Sequence, residues 1–398
     1  MTGRTGALSR RVERVVRTAA AGQHVRERRS VFLLVPVAML LIIGLGAMLS
    51  ASSVVAIRAT GGADNLLYFK RQLLWVGLGI AAFLFTLRVP YRVWSRLALP
   101  LYAASLVALV TTLVIGDTRG GATRWIELGP LTIQAAEFAK FATVALLATA
   151  LAKKERWLNH LPHFAYPVVV ILGLVGVLLL MQPDFGTLLI VLSASFAVML
   201  ASRAPLRYIA GLALLGTAIM TSLAFAAPYR IRRLTGFLDP FADPLDSGHQ
   251  AIQSLVALGT GGWLGVGLGA SRARWSFLPN AHTDFIFSII GEETGFVGSM
   301  LVVALFTLLA VIGVRIAMKA PDRFGRLLAI GIVAWLTFQA LINIGGVVAV
   351  LPITGVPLPF VSSGGNAMLV NLAAIGVLVN IARTPVPAAS AVSADVRS

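Results

Sequence analysis

Asp284 closes the run Phe277-Leu278-Pro279-Asn280-Ala281-His282-Thr283-Asp284-Phe285-Ile286-Phe287, where a polar, glycine-rich stretch enters a long apolar one. A carboxylate at a membrane boundary costs about 2–3 kcal/mol in desolvation, so an acid there marks a functional site by default. Other residues able to do chemistry gather in the polar stretches around it. The segment 116–133 carries Asp117, Arg119, Arg124 and Glu127 and runs into Gln134, Glu137 and Lys140. At i,i+3 spacing, Glu137 and Lys140 share a helix face; they either neutralise each other inside the membrane or leave Lys140 to reach a phosphate as a compact point charge.

Gln182-Pro183-Asp184-Phe185-Gly186-Thr187 reads as a tight turn between two apolar runs, with Asp184 placed to cap the second. Arg230, Arg232 and Arg233 follow the next apolar run. They either snorkel toward headgroups or converge with an acid on a phosphorylated lipid. Gly248 to Ser254, with Gln253 among them, precedes Gly261, Gly262, Gly265, Gly267 and Gly269. Such backbone can approach a ligand closely, and it is equally expected where short helices turn sharply. His282 has no second His or Cys at ligand spacing, so a hydrogen-bonded role suits it better than zinc.

These residues must be carried by an all-α polytopic membrane protein. Of 398 residues 58% are hydrophobic and 12% charged, and the mean hydropathy is +0.86. Uncharged runs at 30–57, 97–116, 157–183, 185–202, 208–229 and 294–314 are long enough to cross about 30 Å of hydrocarbon. Residues 72–87 and 141–152 fill out to spans with their flanks, and 327–382 holds two spans broken at 351–359, which gives about ten helices. The first run exceeds the h-region of a secretory signal, so it reads as a retained span. The absence of cysteine removes disulfide scaffolds and thiolate metal sites.

Twenty-two of the 33 Lys and Arg residues fall on one set of loops and on the two tails, which makes that face cytoplasmic and both termini cytoplasmic. The stretch 247–271 is uncharged, but its seven glycines argue against an eleventh helix, and were it to span, Arg315, Lys319, Arg323 and Arg326 would move outside. The domain reading is therefore a basic tail (1–30), a membrane domain (31–383) with a large external loop at 228–283, and a second tail (384–398). The +17 charge sits mostly in the first tail and the short inner loops and suits anionic lipid better than nucleic acid.

Six stretches, in register over 31–383, resemble the SEDS family (shape, elongation, division, sporulation) of polytopic peptidoglycan glycosyltransferases. They are Arg124-Trp125-Ile126 with Gln134 to Lys140, Gln182 to Thr187, Tyr229 to Pro240, Gln250 to Ser254, Leu278 to Gly295, and Pro357 to Gly365. The short segment Ser271 to Pro279 is similar to division members rather than elongation members. Asn280 stands where the family commonly has Glu and cannot act as an acid or base.

The resemblance implies lipid II as substrate, a disaccharide-pentapeptide on undecaprenyl pyrophosphate, with Asp284 as the base that takes the proton from the acceptor hydroxyl. It implies that Arg124, Lys140, Arg230, Arg233, Gln253, His282 and Ser362 meet the substrate, that Glu137, Asp184, Gly364 and Gly365 support the site, and that an apolar groove holds the lipid. It admits a divalent cation, magnesium or manganese, at the phosphates, and it implies a class B penicillin-binding protein as partner in the division septum of the bacterial cytoplasmic membrane. A flippase for lipid II and a scaffold that recruits a transpeptidase are the competing readings; transport by alternating access would more naturally use charges at mid-membrane and repeat symmetry, and no internal repeat is found. With 247–271 outside, a cysteine at Ser247 or Ser271 should react with an impermeant maleimide in intact protoplasts and one at Ala320 should not; labelling at Ala320 alone would reverse the topology.

Overall fold

The computed structural model describes residues 31–53, 55–57, 61–119, 122–128, 131–225, 237–244, 248–273 and 283–385. Its spans are α1 (Val31–Ser53), α2 (Leu67–Arg88), α3 (Arg92–Ile115), α4 (Ala135–Lys153), α5 (Leu161–Met181), α6 (Phe185–Ala201) and α7 (Leu206–Phe225). After a short helix α8 (His249–Gly261) come α9 (Ile286–Met318), α10 (Arg323–Val347) and α11 (Gly365–Arg383). Nine helices among the described residues are long and apolar enough to cross a membrane, and α6, with 17 residues, makes the tenth. This is the expected multi-pass membrane protein. With only 13 residues, about 20 Å, α8 is too short to cross.

The bundle has a buried centre made of α4, α10 and α11, with α7 at its margin. Small residues let these helices close up. A methyl group added at Gly331 of α10 would meet Val144 of α4 and Val198 of α6, and one at Gly376 of α11 would meet Thr86 of α2. By contrast, α2 packs along α11 and α3 along α4, so α2 and α3 hardly touch beyond their shared turn.

The basic face is tied by charge. Asp322 caps α10 through Gly325 N at 2.8 Å and also accepts from the Tyr91 hydroxyl at 2.5 Å and from Arg92 Nε at 3.1 Å. Burial, then the bond to Asp322, pushes the Tyr91 hydroxyl up to about 12, so it remains a donor at every physiological pH. Glu155 receives both Arg203 Nε at 3.0 Å and Arg323 Nε at 3.1 Å, joining three turns.

The other face differs from its sequence reading in two respects. Residues 116–133 are not a plain loop but three antiparallel strands, β1 (Asp117–Arg119), β2 (Ala122–Leu128) and β3 (Leu131–Ile133), in the order β1-β2-β3. Thr123, Trp125, Ile126, Thr132 and Ile133 favour extended chain, but strands this short give too little alternation to be read from sequence. Second, α9 is not one rod. Gly295 breaks it at φ 69° and ψ −165°, leaving an arm, 286–294, almost wholly buried in the protein, before the spanning part begins at Phe296. The labelling site Ser271 is also buried, so the exposed Asn65, in the turn before α2, is the better reporter for this face.

Candidate active site

Asp284 stands two residues before the arm 286–294. The N-cap position of α9 falls to Phe285, which supplies no side-chain cap. Above the arm, the chain between α10 and α11 crosses as irregular backbone. Asn343 of α10 joins the two: its Nδ2 donates to the carbonyl of Asp284 at 2.7 Å and to that of Val356 at 2.8 Å. Asp284, Asn343, Thr354, Gly355 and Val356 line a small cleft of about 10 Å³. At Gly355, whose φ is +71°, a methyl group would lie 3.5 Å from Asp284 Oδ2, so its absence leaves space directly beside the carboxylate. Among the described residues, the buried Oδ1 of Asn343 has no hydrogen-bond partner.

Lys140 lies one and a half turns into α4 and is buried. Its ammonium sits 2.8 Å from Glu137 Oε2 and 2.9 Å from Gln339 Oε1, and 5.1 Å from the centre of the Trp335 ring. Trp335 Nε1 donates to the same Gln339 oxygen at 2.8 Å, and Gln339 Nε2 donates to the Pro357 carbonyl at 2.9 Å. The cation thus sits in an internal knot that binds α4, α10 and the irregular segment, the neutralising arrangement of the two the sequence left open, although the resemblance had placed Lys140 at the substrate.

Arg124, in β2, donates to the Pro183 carbonyl and lies 3.8 Å from Asp184, while Asp184 caps α6 by accepting from Thr187 N at 3.2 Å. The guanidinium therefore clasps the α5–α6 turn to the sheet. Ser362 is buried, and its hydroxyl accepts from Leu358 N at 2.8 Å within the irregular segment. Gly364 precedes α11, and Gly365 lets Trp75 lie so close that a methyl group there would meet its ring at 2.3 Å. Gln253 is half-buried on α8, beside Ser254, whose hydroxyl meets Ser288 at 2.7 Å and donates to the Val347 carbonyl at 2.6 Å. Arg230, Arg233 and His282 lie outside the described residues.

Five polar residues of this region were not singled out from the sequence. Trp335, Gln339 and Asn343 recur every four residues along a long apolar helix, and that polar stripe was a legible signal. Glu292 and Glu293 were legible as adjacent acids inside an apolar run. Both are buried. Glu292 accepts from Ser271 Oγ, from Arg272 N at 2.9 Å and from Ala273 N at 3.2 Å, and Glu293 accepts from Ser50 of α1. The arm that Asp284 heads is thereby fixed to the preceding loop and to α1.

Fold and site together define a multi-pass membrane protein with a carboxylate cleft where irregular chain meets the ends of the bundle. The chain belongs to the cell cycle protein family of FtsW, RodA and SpoVE, whose family model matches residues 31–385. It is 40% identical to the stage V sporulation protein E of Bacillus subtilis (strain 168) over 348 residues, 87% of this chain and 94% of that protein. It is 40% identical to the probable peptidoglycan glycosyltransferase FtsW of Geobacter sp. (strain M18) over 334 residues, 83% of this chain and 90% of that protein. A solved structure described as "Structural coordination of polymerization and crosslinking by a peptidoglycan synthase complex" superposes with a TM-score of 0.72 at 32% identity, covering 88% of this chain and 96% of that one.

The Lys140 knot makes a quantitative prediction. Lys140→Met should destabilise the protein by about 3–5 kcal/mol because it strands the Glu137 carboxylate. The double variant with Glu137→Gln should recover most of that loss in thermal unfolding of the detergent-solubilised protein. Equal destabilisation in the single and double variants would mean that the pair is not a coupled unit.

Proposed function

We propose that the protein is a peptidoglycan glycosyltransferase that polymerises lipid II at the outer face of the bacterial cytoplasmic membrane, in the division septum, with release of undecaprenyl pyrophosphate. The observation that carries this reading is the carboxylate of Asp284. It is held by its own backbone through Asn343 and flanked by the open space at Gly355. Forming a β-1,4 bond from an α-linked donor needs a base on the acceptor hydroxyl and positive charge on the departing pyrophosphate. Asp284 takes the first role, and Gly355 leaves room for a sugar hydroxyl to approach it.

Arg124 and Lys140 have side-chain partners of their own, so the pyrophosphate falls to Arg230 and Arg233. The cleft also offers oxygen donors, the Asp284 carboxylate and Asn343 Oδ1, which has no partner among the described residues, a set that suits Mg²⁺ or Mn²⁺ rather than zinc. These two would hold such an ion together with the substrate phosphates, and it would supply neutralising charge there. The parting of α2 from α3 supports a lateral path for the polyprenyl chain. Gln72 of α2 donates to the Ser362 carbonyl at 3.3 Å, so the head of α2 is joined to the same irregular segment that borders Asp284.

Both termini are cytoplasmic in this reading, since the Lys and Arg excess marks the inner face. A penicillin-binding protein that cross-links the product is the partner, in keeping with the polymerisation and crosslinking named for the similar synthase complex. A fluorescent fusion is expected at midcell rather than along the lateral wall.

Asp284→Asn keeps a polar side chain in the cleft but cannot accept a proton at neutral pH. Glycan formation from lipid II by the purified variant should fall by about 10²–10⁴-fold or more, with thermal stability little changed. Polymerisation at the wild-type rate would remove Asp284 from the chemistry.

A further inference from the structure

The loop after α8 presents large apolar side chains outward on a backbone that cannot withdraw them. Trp263, Leu264 and Leu268 are 75%, 80% and 82% exposed. No charged residue occurs from 247 to 271. The backbone beneath is bonded on both sides of the break in α9. Phe296 N donates to the Gly262 carbonyl at 2.8 Å and Val297 N to that of Trp263 at 3.2 Å, while Val266 N and Gly267 N donate to the carbonyls of Glu292 at 3.0 Å and Glu293 at 3.1 Å. Glycine is required for this approach: a methyl group at Gly265 would lie 2.1 Å from the Glu293 carbonyl oxygen, and one at Gly295 2.4 Å from Gly265 N.

The same bonds fix the depth of the loop. From Phe296 to Met318 the helix has 23 residues, about 34 Å at 1.5 Å each, enough to cross about 30 Å of hydrocarbon, and Arg315 and Lys319 mark its basic end. Twenty residues back from Arg315 brings the opposite hydrocarbon boundary to Phe296, to whose first turn the loop is bonded. The Trp263 ring packs edge-on against Phe296, with centroids 5.2 Å apart. Its surface continues into the lipid-facing Val297, Met300 and Leu301 of the span. A tryptophan at this level, with leucines on either side and no charge, has the chemistry of the interface between headgroups and acyl chains.

We infer that residues 262–268 form a wedge seated in the lipid leaflet of the non-basic face, with Trp263, Leu264 and Leu268 as its anchors. The occupant of this apolar surface is lipid, because the surface is continuous with the lipid-facing side of α9 and sits at the hydrocarbon boundary. The wedge is bonded to Glu292 and Glu293 on the arm that Asp284 heads, so its seating sets the height of Asp284 relative to the headgroups. That consequence rests on the catalytic reading of Asp284; the seating does not.

The natural sequence contains no cysteine, so a nitroxide can be placed singly at Leu264→Cys and Leu268→Cys in the full-length protein. The labelled protein is reconstituted without partners in phosphatidylethanolamine–phosphatidylglycerol vesicles. Both positions are exposed, so folding should be retained, which thermal unfolding will verify. Asn65→Cys serves as the aqueous reference and Val107→Cys, on the exposed side of α3, as the hydrocarbon reference. Power saturation should show both wedge labels colliding with oxygen several-fold more than with nickel-EDDA, as at Val107→Cys. Nickel-EDDA access equal to that at Asn65→Cys would place the loop in water and overturn the inference. Exclusion of both reagents would mean that a second copy of the chain covers it, and would overturn the inference as well. These readouts are independent of polymerisation, so the inference and the catalytic reading fail separately.

Discussion

Irregular backbone can lie among membrane helices only if its polar groups find partners inside the protein. The chain between α10 and α11 meets that condition through side chains. Gln339 bonds the Pro357 carbonyl, Asn343 the Val356 carbonyl, Gln72 the Ser362 carbonyl, and the Ser362 hydroxyl takes the Leu358 N–H. Those bonds come from α10, from α2 and from the segment itself, so forming the segment requires several helices to be in register. The cleft at Asp284 exists because this segment does, and Asn343 serves both at once.

Charge follows the same logic. Lys140 is tolerated at depth because Glu137, Gln339 and the face of Trp335 surround it. Glu292 is tolerated because two backbone N–H groups and a serine hydroxyl converge on it, much as they would on a bound anion. Lys140, which looks like substrate-binding equipment when read along the chain, and Glu292 each hold one element against another. Asp284 lines the cleft, and Asn343 bonds its backbone carbonyl.

The gross architecture was legible in the sequence. Hydrocarbon thickness and the helical rise fix the length of an uncharged run that can span, so the ten spans, the break between α10 and α11 and the exclusion of 247–271 as a spanning helix followed from hydropathy, glycine content and the Lys/Arg distribution. Local capping was legible too, as at Asp184, because it depends on residues three apart. The family-like stretches located Asp284, Glu137, Lys140 and the Gly364-Gly365 turn before any contact was known.

Tertiary structure decided what those residues touch. Sequence left Lys140 between a phosphate and Glu137, because a helix face shows which side chains are neighbours on that helix but not that Gln339 arrives from a helix 199 positions away. It did not reveal the sheet at 117–133, whose strands are stabilised by pairing with one another more than by local pattern. Nor did it reveal the break at Gly295, where only the backbone of the loop after α8, packed against Glu293 and Gly295, requires the turn. Hydrophobicity is a property of single residues summed along a run and survives reading in one dimension. The pairing of a buried polar group is a property of two distant segments and is settled only when the chain has folded.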